Sequence, residues 1–228
     1  TRYWRDWSSD VCSSDLLAVT TWRELLVPLA LAVVAFLYAS VGHAGATGYV
    51  AVLALAGWSA AAIKPVALIL NSLVAAVGCW TFLRAGHWPG RRFWPLYALA
   101  LPAALIGGAW SLPLVWLQRL VGVMGLVSAW RLGREIQDPP ELRPPPGWIL
   151  AVVGGGIGLL AGLTGTGGGV FLTTVLLLCR WCTTRQSGAL VSLFILLNSL
   201  AALAGIALSR PSALMASLQP QLFLWLAL

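Results

Sequence analysis

Residues 66–83, 93–110 and 189–208 contain no Asp, Glu, Lys or Arg. Each run is close to the roughly 20 residues that an α-helix needs to cross a bilayer. Runs of this kind leave a chain few folds, because backbone in lipid must satisfy its own hydrogen bonds, and a helix does so within one segment. The runs do not alternate polar and apolar residues, which excludes a transmembrane β-barrel. Charged residues make up 9% of the chain and hydrophobic ones 59%. Soluble domains carry about 25% charge, so the expected fold is an all-α polytopic membrane protein.

Two glycine-rich breaks interrupt this apolar sequence. The first is Gly42-His43-Ala44-Gly45-Ala46-Thr47-Gly48; the second is Gly162-Leu163-Thr164-Gly165-Thr166-Gly167-Gly168-Gly169. Each is followed by an N-S-L segment, Asn71-Ser72-Leu73 and Asn198-Ser199-Leu200, and both segments continue as x-A-x-x-G. The shared skeletons G-x-x-G-x-x-G and N-S-L-x-A-x-x-G, in the same order, point to an internal duplication. Gly45 precedes Asn71 by 26 positions and Gly165 precedes Asn198 by 33, so the second copy has the longer connection near Arg180 to Arg185. The expected architecture is two related helical halves with glycine-broken helices. The first transmembrane repeat covers 17–130, with helical pieces at 25–41, 49–62, 66–83, 93–110 and 114–130. A proline-rich linker covers 131–147. The second repeat covers 148–228, with pieces at 148–160, 170–178 and 189–208. An even number of crossings per half gives parallel repeats and an odd number inverted ones.

The formal charge of +7 is carried mainly between the apolar runs. It therefore reads as topology and lipid headgroup contact, not as nucleic-acid binding. Tryptophans recur near run ends, among them Trp58, Trp80, Trp94, Trp110, Trp148 and Trp181, as an interfacial aromatic belt requires. If each broken element counts as one crossing, Arg84, Arg91, Arg92, Arg131, Arg134, Arg143 and Arg210 share one side. Lys64, Arg119, Arg180 and Arg185 then share the other. The positive-inside rule makes the first group cytoplasmic.

Three consecutive glycines are costly in a helix, about 1 kcal/mol each relative to alanine. In the membrane, unwound backbone survives where it is buried in protein or lines a watery cavity. Unwinding frees amides, and the N-terminus of the next half-helix adds positive dipole, so the pair forms an anion site without a basic side chain. Glycine-interrupted segments at matching places in two halves are also the sequence mark of a transporter site. The expected substrate-binding residues are Gly45, Thr47 and Gly48 in the first break, and Thr164, Gly165, Thr166, Gly167, Gly168 and Gly169 in the second. Asn71 and Asn198 add neutral donors; the competing role for both is interhelical hydrogen bonding. Lys64 attracts an anion or snorkels to the interface. His43 donates to an oxyanion, titrates, or packs as a neutral ring. Gly154, Gly155, Gly156 and Gly158 read as helix-packing residues.

Other chemistry finds no support. Gly156-Ile157-Gly158-Leu159-Leu160-Ala161 fits G-x-G-x-x-A but has no preceding strand and no acidic partner near position 180. Cys179-Arg180-Trp181-Cys182 is a single C-x-x-C at a helix end. Beyond residue 16 the acidic residues are Glu24, Glu135, Asp138 and Glu141, all outside the apolar runs. No intramembrane carboxylate therefore serves a proton relay, a cation pump or a hydrolase. No cofactor, metal or enzymatic activity is expected.

The segments 41–49, 64–78, 82–88, 158–172 and 194–205, with Gly165-Thr166-Gly167-Gly168-Gly169 the strongest match, resemble the sulfite exporter TauE/SafE family. That resemblance implies seven or eight helices in two halves. It also implies a multi-pass protein of the bacterial inner membrane that moves a small sulfur-containing anion such as sulfite or a sulfonate. The implied partners are that anion and the lipid bilayer, with a homo-oligomer open. The alternative is a non-transporting membrane subunit that binds a protein partner. Residues 6–16 read as a translated sequencing-adaptor oligonucleotide, so 1–16 is set aside as non-native. Residues 222–228 begin an apolar run that stops short of a span, and the chain is expected to be a fragment.

Overall fold

The computed structural model describes residues 26–39, 44–110, 115, 116, 119, 122, 123, 126, 141–143 and 145–211. His43, residues 1–16, the terminal apolar run, and most of the linker and of the 114–130 segment lie outside them. Among the described residues every regular element is a helix. The order is α1 (Leu26–Ala39), α2 (Ala46–Leu55), α3 (Ala60–Arg84), a 3-10 turn (Arg91–Phe93), α4 (Trp94–Ala109), α5 (Gly147–Thr164), α6 (Gly169–Leu178) and α7 (Thr184–Ser209). By length and composition α3, α5 and α7 can each cross a membrane.

The glycine breaks reverse the chain. Val34 of α1 lies against Gly48 of α2, and the hydroxyls of Tyr38 and Thr47 are 3.0 Å apart. In the second break Gly165, Gly167 and Gly168 have φ of +73°, +66° and +76°, a left-handed geometry that costs other residues about 1–2 kcal/mol each. A Cβ on Gly168 would stand 3.0 Å from Ala161 Cβ and from Ile157 Cγ2, so the chain turns back onto the last turns of α5. The Arg143 N–H donates to the Arg180 carbonyl at 2.8 Å, tying the start of α5 to the end of α6.

This reversal corrects the expected side assignment. The chain turns back at the break instead of passing through, so Arg180 and Arg185 sit at the same end of the bundle as Arg143, Arg84, Arg91 and Arg92. Arg210 joins Lys64 at the opposite end, where the Ser209 hydroxyl, which donates to the Gly205 carbonyl at 2.7 Å, lies 3.4 Å from the Ala109 carbonyl. The second break is also shorter than expected. α5 continues through Gly162 to Thr164, because Gly154, Gly158 and Gly162 form an i, i+4 stripe pressed on the backbone of Leu96, Ala100 and Ala104 of α4. Small residues allow such close approach without a hydrophobic drive. Gly156 differs from its neighbours: a Cβ there would meet nothing within 4 Å.

α3 and α7 run antiparallel through the middle of the bundle. Phe82 meets Gly188, Gly78 meets Ser192, and Leu68 packs with Ala202. That register brings the two N-S dipeptides, Asn71-Ser72 and Asn198-Ser199, to one level near the midpoint of both helices. α7 starts earlier than the apolar run suggests, because Thr183 and Gln186 close a reciprocal capping box. Trp80, Trp94, Trp110 and Trp148 are exposed, as a lipid-facing belt requires, whereas Trp181 is buried in the core.

Candidate functional site

The break between α5 and α6 lies against the centre of α7. A Cβ on Gly167 would stand 2.8 Å from Ile195 Cγ2 and 3.2 Å from Ser199 Oγ, and one on Gly168 would stand 3.1 Å from Phe194. Asn198 lies one turn from Phe194 and Ile195 on the same helix face. From α3, the Asn71 Nδ2 donates to the Gly165 carbonyl at 3.3 Å, and the Lys64 side chain also borders Gly165. Thr164, Gly165, Thr166, Gly167, Gly168, Gly169, Asn71, Asn198 and Lys64 thus gather around one turn.

The helix ends there are electrically uneven. α6 begins at Gly169 after the N-cap Gly168, and no side chain caps it. Its first-turn amides therefore lack intrahelical acceptors and carry the positive end of the helix dipole. At the end of α5 the Gly165 N–H donates only to the Ala161 carbonyl. The negative end of α5 and the positive end of α6 meet across four residues.

Polar atoms at this level are short of partners. Asn71 (0% exposed), Asn198 (1%) and Ser199 (0%) are buried. Asn71 Oδ1, Asn198 Nδ2 and Oδ1, and Ser199 Oγ have no hydrogen-bond partner among the described residues. Each such group costs about 1–3 kcal/mol when left unpaired. Buried polar groups without partners call for an explanation in a native fold, such as a water or ion beside them.

Lys64 has a different task from the one its position suggested. It lies inside α3, 8% exposed. Its Nζ donates to the carbonyls of Gly107 at 2.9 Å, Gly108 at 3.0 Å and Trp110 at 2.7 Å. All three ammonium hydrogens are spent on the C-terminal end of α4, a charge placement the helix dipole favours. Thr164 is likewise engaged: its hydroxyl donates to the Leu160 carbonyl at 2.7 Å.

The first break forms a separate cluster. Gly45 (φ +80°) caps α2 and borders Tyr49 and Val34, Thr47 pairs with Tyr38, and Gly48 lets α1 approach α2. Ala44 connects this cluster to the large core that also holds Ala75, Leu190 and Phe194. Sequence reasoning passed over Ser199 as a site residue, although its place in the repeated N-S-L segment was the signal available.

Helical hairpins that turn at mid-bundle around an uncapped helix N-terminus are the architecture of a broken-helix membrane transporter. The family model described as sulfite exporter TauE/SafE matches residues 27–228. The chain belongs to that family, and it is a membrane transporter. It is 40% identical over 182 residues to a protein of Sinorhizobium fredii (strain NBRC 101917 / NGR234) named probable membrane transporter protein y4hK, covering 78% of this chain and 74% of the relative. No solved structure matches.

Proposed function

We propose that the protein is a secondary carrier for a small sulfur-containing oxyanion, sulfite or a sulfonate, in the bacterial inner membrane, which it crosses several times. The observation that carries this reading is the uncapped N-terminus of α6 at mid-bundle, beside the unpartnered Ser199 hydroxyl and Asn198 amide. Amides of 167–171 would hold the anion, and Asn198 and Ser199 would orient it. Neutral donors suit a carrier, because a permanent salt bridge would slow release. The family's description as a sulfite exporter supports the substrate class.

The hairpins favour an inverted duplication. α1–α2 is joined to α3 at the Lys64 end, and α5–α6 is joined to α7 at the Arg84 end, so equivalent hairpins enter from opposite faces. The N-S dipeptides cross at the pseudo-twofold axis this implies. The arginine-rich Arg84 end faces the cytoplasm under the positive-inside rule.

Purified chain in proteoliposomes, loaded and assayed with sulfite, tests the proposal. Saturable sulfite flux above that of protein-free vesicles is expected. Flux equal to that of empty vesicles for sulfite and for small sulfonates contradicts it.

A further inference from the structure

The polar atoms left over at the second break are not all suited to an anion. Thr164 has one hydroxyl hydrogen and gives it to the Leu160 carbonyl. Its oxygen lies 2.7 Å from Thr166 Oγ1, so in that pair Thr166 donates. Thr166 Oγ1 then offers lone pairs only. Asn71 Nδ2 gives one of its two hydrogens to the Gly165 carbonyl, and the atom of its amide without a partner is Oδ1, again an acceptor. Both residues are buried at 5% and 0% exposure. They stand at the end of α5, whose last carbonyls carry partial negative charge. Ser199 Oγ, which can turn lone pairs toward them, sits at the same level through the α3–α7 register.

We propose that the second break also binds a monovalent cation of sodium's size, held by Asn71 Oδ1, Thr166 Oγ1 and Ser199 Oγ with the terminal carbonyls of α5, beside the anion on the α6 amides. Oxygen-only donors suit a hard cation, and unwound carbonyls and half-helix C-termini are where transporters hold sodium. A divalent ion is disfavoured, because no carboxylate lies in the described helices to neutralise it. The counter-charge is the transported anion, so the cation site rests on the carrier reading and makes the ion a coupling partner for it.

Binding of ²²Na⁺ to the detergent-purified chain, with choline as the replacement cation, tests the site directly. Saturable binding is expected, displaced by unlabelled sodium and not by choline, and strengthened by sulfite. Ser199→Ala and Thr166→Val, both near-isosteric, should each weaken it by about tenfold or more; size-exclusion and thermal unfolding profiles check that they fold. Absence of saturable binding, or binding unchanged in both variants, overturns the cation site. Sulfite flux that persists unaltered in choline, without saturable ²²Na⁺ binding, overturns it while the carrier reading stands. Sodium binding that is lost in the variants, from a chain with no sulfite flux, upholds the cation site and removes the proposed substrate.

Discussion

Gly167→Leu should lower sulfite flux by roughly 100-fold, as expected for misplacement of a site by about an ångström, while the protein still inserts and purifies as a single species. Two effects combine. Gly167 has φ +66°, where a side chain is strained. Its Cβ would also stand 2.8 Å from Ile195 Cγ2 and 3.2 Å from Ser199 Oγ, so the rest of a leucine would fill the space in which the α6 amides face α7. Gly156→Ala is the matched control. A methyl there meets nothing within 4 Å inside a continuous helix, so flux should be retained. Equal loss in both variants would mean that glycine in these helices serves general packing.

Lys64→Met should strongly destabilise the described bundle. It removes three charged hydrogen bonds, each worth about 1.5–3 kcal/mol, and leaves the carbonyls of Gly107, Gly108 and Trp110 without that donor. Two of these three cannot move to compensate, since Gly108 lies on the backbone of Ala202 and Gly107 on that of Leu159. The expected result is a large fall in the thermal unfolding midpoint in detergent, even without substrate. If Lys64 instead grasps the anion, the midpoint should hold and the KM for sulfite should rise. The two readouts separate a residue that clamps α4 from one that binds solute.

The apolar runs made the helical membrane fold legible, because charge-free stretches of this length have few alternatives. The second break was legible too, since Gly167-Gly168-Gly169 exceeds what helix packing needs. What the pattern could not carry was direction. A glycine run says that the helix stops, but whether the chain continues or doubles back depends on left-handed geometry at Gly165, Gly167 and Gly168 and on where α6 finds a partner. The side assignment of Arg180 and Arg185 failed for that reason. Gly162 was read as part of the break because its contact, the Ala104 backbone, lies far along the chain. The early start of α7 was available in Thr183-x-x-Gln186, a local signal that the apolar run overshadowed. The saturation of Lys64 could not be read from sequence, because its acceptors are main-chain atoms of another helix.

In the proposed carrier, amides of the second break are unwound and face a negatively charged solute. Hydrogen–deuterium exchange of the purified chain, followed by mass spectrometry on peptides covering 161–175, reads those amides directly. Faster exchange is expected there than in the middle of α7, with slowing on addition of sulfite that is confined to 165–171. Exchange as slow as that of α7 before sulfite is added, or unchanged at saturating sulfite, would contradict it.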